Sequence, residues 1–296
     1  FFRELLAISI KDVYAVHEPD VCRADYLTNI KKNKEILFNK IKAAGLYNIT
    51  LGKLLPLGNI RSLSVARQRG KIDEVESATR LYQIRRRYIS SLNQNIYAEV
   101  NLQLAGLIDI LPLVFPNSKT LFIVRDGRDW VRSWMNSKNT IYSKLDPLYY
   151  LPFSRITAKM VQNDPYFYKW NRLSLFQRVC WLWRFHIEYA LKTIKNNPNA
   201  KSVKFEQFFD SSNKCEAFND VLKFLTFFPD NYRAEYHYKN ELSGRRINES
   251  IINRFPKWEK WPLNLVKDFH EICGDFLFEQ GYGLEPEWQG IVSKTR

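Results

Sequence analysis

Thr120-Leu-Phe-Ile-Val-Arg-Asp-Gly-Arg-Asp-Trp-Val-Arg-Ser133 passes from one periodicity to another with almost no loop between. The four residues after the threonine are wholly apolar, the pattern of a strand buried on both faces of a parallel sheet. From Arg128 to about Asn136 the spacing is helical, and Gly127 permits the tight turn that joins the two. The junction delivers Arg125 to the carboxyl end of the strand, where its guanidinium offers a two-pronged donor for a phosphate. Ser133 falls about two turns into the helix, so a strand end and helix packed side by side bring both residues to one anion. Arg128 adds a second positive charge at that edge.

Working outward, Val13-Tyr-Ala-Val16, residues 96–99 and Ser202-Val-Lys-Phe205 read as further short strands. Residues 102–114, 173–194, 215–225 and 265–280 have helical spacing, the last run stopped by Gly281. The aromatic stripe of the second run, Phe176, Trp183 and their neighbours, reads as core. Residues 23–46 and 61–92 are rich in Lys and Arg and predict two exposed helices, separated around Pro56 and Gly58. Within them Arg85-Arg-Arg87 reads as a solvated helix face, with a surface turned to a polyanionic substrate as the other reading.

Strands alternating with helices predict an α/β fold, a parallel sheet flanked by helices and joined by right-handed crossovers. One domain over residues 1–296 is expected, with helical or irregular insertions at 21–95 and 140–170 that shape a substrate pocket. Ligands of such sheets sit at the carboxyl ends of the strands. That rule selects His17 and Glu18, Glu99 and Asn101, the Arg125 to Arg128 turn, and Glu206.

Composition bounds the partners. Apolar residues at 45% and aromatic residues at 15% exclude a chain that stays disordered for want of a core. Lys and Arg number 45 against 31 acids, a net +14 that favours polyanionic ligands, nucleotides and sulfated glycans among them. No apolar run reaches the ~18 residues of a membrane span. Cys22, Cys180, Cys215 and Cys273 form no C-x-x-C pair, so neither a metal site nor a disulfide framework is indicated.

The strand–Arg–turn–helix–Ser pattern resembles the 3′-phosphate-binding segment of the sulfotransferase family, with Arg125 and Ser133 in the matching positions. Phe115-Pro, the strand end at Phe205-Glu206, and Cys273-Gly274 followed by Gly281-Tyr282 are similar to landmarks of that family in the same order. The resemblance implies a P-loop NTPase-like three-layer sandwich. It implies transfer of a sulfuryl group from 3′-phosphoadenosine 5′-phosphosulfate, without a metal, to a hydroxyl or amine of a small molecule or glycan. Arg125, Ser133 and Arg128 would bind the donor, and Arg245 and Arg246 lie where the family carries a basic loop that closes on the 3′-phosphate. Glu18 in His17-Glu-Pro19 resembles the catalytic base of carbohydrate-type members, with His17 as the alternate base. Glu99 and Asn101 are candidates for binding the acceptor.

One family feature is missing from these residues. No Gly-rich phosphate loop precedes the first helix, and no G-x-x-x-x-G-K-[ST] occurs. Phe1-Phe-Arg-Glu-Leu-Leu-Ala7 resembles the helix that follows that loop, so the expectation is a chain cut just past it, inactive or weak as it stands. Cytoplasm and Golgi lumen both remain open as locations. Two other readings compete. A nucleotide or phosphate kinase would want an acidic metal ligand after a buried strand, where this chain has Arg125. A non-catalytic basic module would bind sulfated glycan or nucleic acid through its charge. The sulfotransferase reading expects no nucleic acid.

Overall fold

A computed structural model describes residues 1–21, 30–137, 140–209, 213–228, 233–237 and 254–295. The protein is mixed α/β, with two small parallel two-stranded sheets. Two compact units emerge, one formed by Phe1–Phe122 with Lys192–Ile247 and the other by Ile123–Leu191 with Asn248–Arg296.

In the first unit helix α1 (Phe2–Ser9) leads into strand β1 (Val13–His17). Helix α2 (Ile30–Ala44), helix α3 (Ile60–Gln68) and helix α4 (Glu74–Leu81) follow before strand β2 (Ile96–Val100). β1 and β2 are parallel, in a register that sets Val16 beside Glu99 and His17 beside Val100. Parallel partners need a long crossover, and the helices between supply it. They also have an apolar core of their own, built from Ile60, Leu63, Leu81, Ile84, Leu107 and Ile110. Asn59 caps α3 by accepting from the Ser62 amide, and Asp73 caps α4 by accepting from the Glu76 amide. The basic run expected as one helix over 61–92 is therefore two, continued by a π-helical turn at Tyr82–Arg86.

Strand β3 (Thr120–Val124) has the bounds its sequence predicts, and helix α5 (Gly127–Met135) begins after two residues. Burial on both faces is not what the strand shows. Phe122 and Val124 are buried while Thr120, Leu121 and Ile123 are only partly so. Among the described residues β3 pairs with one strand alone, β4 (Ala200–Lys204), and Leu121 on its other face packs against the Leu5, Phe208 and Phe218 cluster. The helix expected over 102–114 is a 3₁₀ segment at Leu102–Leu107 and one α-turn at Leu111–Val114, because Pro112 withholds a backbone donor.

Helix α6 (Leu175–Ile194) carries the aromatic stripe, and Trp181 and Trp183 are fully buried. Helix α7 (Lys214–Thr226) closes the first unit's core, where Phe218, Val221 and Phe208 meet Leu5. Helix α8 (Leu263–Glu279) and helix α9 (Pro286–Ser293) belong to the second unit, with Trp288 in edge-to-face contact with Phe269 and Trp261, which are tilted against each other. Cys180 and Cys273 are free, buried thiols, and Cys215 is exposed. No helix is long and apolar enough to cross a membrane among the described residues.

Candidate functional site

The two groups of candidate residues lie in different units. His17, Glu18, Glu99 and Asn101 are in the first unit, and Arg125, Arg128 and Ser133 are in the second.

In the first unit the carboxyl ends of β1 and β2 gather a polar cluster. The Val100 carbonyl lies 3.0 Å from His17 Nδ1 and accepts the Glu18 amide at 3.0 Å. A carbonyl can only accept, so Nδ1 carries a proton, and in the neutral ring the lone pair is left on Nε2. Nε2 lies 4.0 Å from a Glu18 carboxylate oxygen. Glu18 has a left-handed backbone, φ 39°, which is costly for a residue with a Cβ. Lys40 holds the turn there. Its buried ammonium donates to the His17 carbonyl at 2.9 Å and to the Glu18 carbonyl as well.

Beneath this turn lies an ion network that the basic run did not suggest. Arg85 is fully buried, not solvated; its Nη2 donates to Asp20 at 2.6 Å and to Glu99 at 3.1 Å, and its Nε lies 2.8 Å from the second Glu99 oxygen as an ion-pair contact. Glu99 also accepts from the Tyr97 hydroxyl at 2.7 Å and from Asn101 Nδ2 at 2.8 Å. Asn101 Oδ1 in turn accepts the Gln103 amide at 3.0 Å. Burial by itself would lower the Arg85 pKa, but Asp20 and Glu99 outweigh it and hold the guanidinium more firmly protonated than usual. Burial and then the Glu99 carboxylate push the Tyr97 phenol well above its usual range, which keeps it a donor. Glu99 and Asn101 are thus spent on the scaffold that supports the β1 end.

One signal of Arg85's burial was available. Ser77, Leu81 and Arg85 recur every four residues, one stripe of the helix, and all three are buried. Asp20, Lys40 and Tyr97 had no comparable signal, since each is placed by packing between distant elements.

In the second unit Arg125 is half-buried at the end of β3, and Ser133 is exposed on α5. Burial raises the Asp129 carboxyl while the Arg125 charge pulls it down, which places Asp129 in the field of that arginine. Asp126 caps α5, accepting the Arg128 amide at 2.8 Å. Gly127 is required here for a reason other than the turn. A Cβ would sit 2.8 Å from the Trp183 indole, whose Nε1 donates to the Arg125 carbonyl at 3.1 Å. Trp183 therefore clamps the strand end.

Arg128, expected at the edge of an anion site, is instead a buried tie. It donates to Asp126 at 2.6 Å and to Glu285 at 2.8 and 3.0 Å, and it lies over the Trp258 and Trp288 rings at 4.5 and 5.0 Å. Burial would lower its pKa, but the hydrogen bonds to Asp126 and Glu285 carry it above normal, and Arg128 holds Glu285 below the usual carboxylate value. Arg245 and Arg246 lie outside the described residues. Among the described residues no three His, Cys, Asp or Glu side chains are grouped to hold a metal ion. Comparison of the chain with protein-family models, curated proteins and solved structures finds no match.

Proposed function

We propose that this protein transfers a sulfuryl group from 3′-phosphoadenosine 5′-phosphosulfate to a hydroxyl or amine of a small molecule or glycan. The observation that carries the proposal is the β3–α5 junction, an apolar strand ending in Arg125 with Ser133 exposed on the helix that starts two residues later. Arg125 and Ser133 are assigned to the 3′-phosphate. Arg128, committed to Asp126 and Glu285, serves by fixing the turn. Arg245 and Arg246 remain assigned to the same phosphate by the order of the sequence alone. A P-loop NTPase-like three-layer sandwich goes with the proposal and is supported by the parallel pairing of β1 with β2.

In the transfer the acceptor oxygen or nitrogen bonds to sulfur as the sulfur–oxygen bond to the 5′-phosphate breaks, releasing 3′,5′-adenosine bisphosphate. The acceptor's proton goes to a base. At the β1 end two groups have the chemistry: the Glu18 carboxylate and the free Nε2 lone pair of His17. Glu99 and Asn101 support that end through Arg85 and reach an acceptor only as part of its floor.

The donor assignment is tested by thermal shift on the chain as it stands. Saturating 3′,5′-adenosine bisphosphate raises Tm, 5′-AMP raises it much less, and Arg125→Ala removes the difference. Equal shifts, or none, reject the assignment. Base assignment is tested separately in a protein that turns over, where Glu18→Gln keeps the thermal shift and loses the rate, and a retained rate transfers the role to His17.

A further inference from the structure

We propose that the turn at residues 45–58 of the first unit is a docking tip for an anionic lipid surface, independent of the transfer site. Leu46, Tyr47, Leu51, Leu54 and Leu55 are each between 44% and 60% exposed. Five large apolar side chains within ten residues of chain are not the scatter found on an ordinary soluble surface.

The tip is built to hold them outward. Gly45, at φ 76°, passes under the Tyr88 ring, where a Cβ would sit 2.3 Å from a ring carbon. Ile49 and Asn48 point inward as anchors, and Asn48 donates to the Ala44 carbonyl at 2.7 Å and the Ile84 carbonyl at 3.4 Å. At the far side the chain closes on itself, so that a Cβ on Gly52 would lie 2.4 Å from the Gly58 carbonyl oxygen. With two side chains spent as anchors and the ends pinned, the leucines have no core to enter.

Charge selects the occupant. From Ile36 to Ile72 there is no Asp or Glu; Lys40 is spent inside the fold and Arg67 is paired with Asp109, while Lys42 and Lys71 are exposed along the run. On α2, which leads into the tip, Lys31, Lys32, Lys34 and Lys42 are exposed, and Lys42 lies over the exposed Phe38 ring at 4.8 Å. Side chains that each stand half clear of the surface do not line a groove for a peptide. An exposed aliphatic turn that includes a tyrosine and is preceded by exposed lysines on α2 matches the two signals of interfacial membrane binding, apolar insertion and attraction to anionic headgroups. Long lysine stems let the ammonium groups stay at headgroup level while the leucines enter.

The experiment is vesicle flotation of the whole chain, with phosphatidylcholine vesicles against vesicles that also contain phosphatidylserine. The expected result is at least roughly tenfold more protein with the anionic vesicles, falling steeply in high salt. Leu51→Glu with Leu54→Glu abolishes flotation at unchanged Tm, because both positions are mostly solvent in the native state. Lys31→Glu with Lys32→Glu and Lys34→Glu reduces it as the salt does. Equal recovery with both vesicles, no flotation, or flotation that survives the leucine pair overturns the proposal. Concentration-dependent self-association that the leucine pair abolishes, without flotation, overturns it in favour of a second copy of the chain as the occupant.

Discussion

Replacing Arg85 with Met tests whether a basic run can hide a structural cation. Arg85, Asp20 and Glu99 have side chains 2%, 1% and 6% exposed, so water relieves none of the three charges. Each Arg–carboxylate attraction is about 4 kcal/mol at 4 Å between charge centres and an effective dielectric near 20. The desolvation of each ion costs several kcal/mol, so the intact network stabilises the fold only modestly. Its removal is asymmetric. Met fills the volume of the arginine stem but leaves two carboxylates facing each other in a dry site, and the expected loss is about 3–5 kcal/mol. That is about a fifth or more of the stability of an ordinary domain. Urea titration of the wild type and Arg85→Met, followed by circular dichroism at a common slope, gives the number. Adding Asp20→Asn and Glu99→Gln removes the stranded charges, so the triple variant is more stable than Arg85→Met alone. A single variant within about 1 kcal/mol of wild type, the cost of an exposed arginine, refutes the network. A triple variant no better than the single one refutes its electrostatic origin.

Two further outcomes follow from the second unit. Arg128→Lys keeps the charge but loses the planar fork shared by Asp126 and Glu285 and the stacking on Trp258 and Trp288, so it costs about 2 kcal/mol in a urea titration; a cost near zero shows that charge alone suffices. For His186, burial first and the nearby Arg155 second push the imidazole from its ordinary 6.5 down to about 4. The unfolded chain then takes up a proton before the folded one, and stability present above pH 6.5 is lost as pH falls toward 4, by about 3 kcal/mol in all. His186→Phe flattens that part of the stability–pH curve relative to wild type, and an unchanged slope removes His186 as its source.

The β1 and β3 strands, their helices and the strand-end position of His17, Glu18 and Arg125 were legible because they follow from periodicity and from residues that start or stop an element. Gly127 was legible as the residue of the tight strand-to-helix junction, and the Trp183 ring packed on its backbone adds a second reason for it. What the chain could not reveal locally was the partner of each charge. The stripe of Ser77, Leu81 and Arg85 hinted at the burial of Arg85, but its partners Asp20 and Glu99, and the Glu285 and two tryptophans that join Asp126 in burying Arg128, are set by contacts between distant elements.

By itself, then, the sequence determined where the strands and most of the helices lie, which residues stand at the ends of strands, and that the chain is strongly basic. Those are properties of neighbours along the chain, set by side-chain period and backbone preference. Only the tertiary structure decided which cations are spent inside the fold, that Lys40 secures the left-handed turn at Glu18, and that the leucines of residues 46–55 face outward. Burial and pairing are made between residues tens of positions apart, and no local pattern carries that distance.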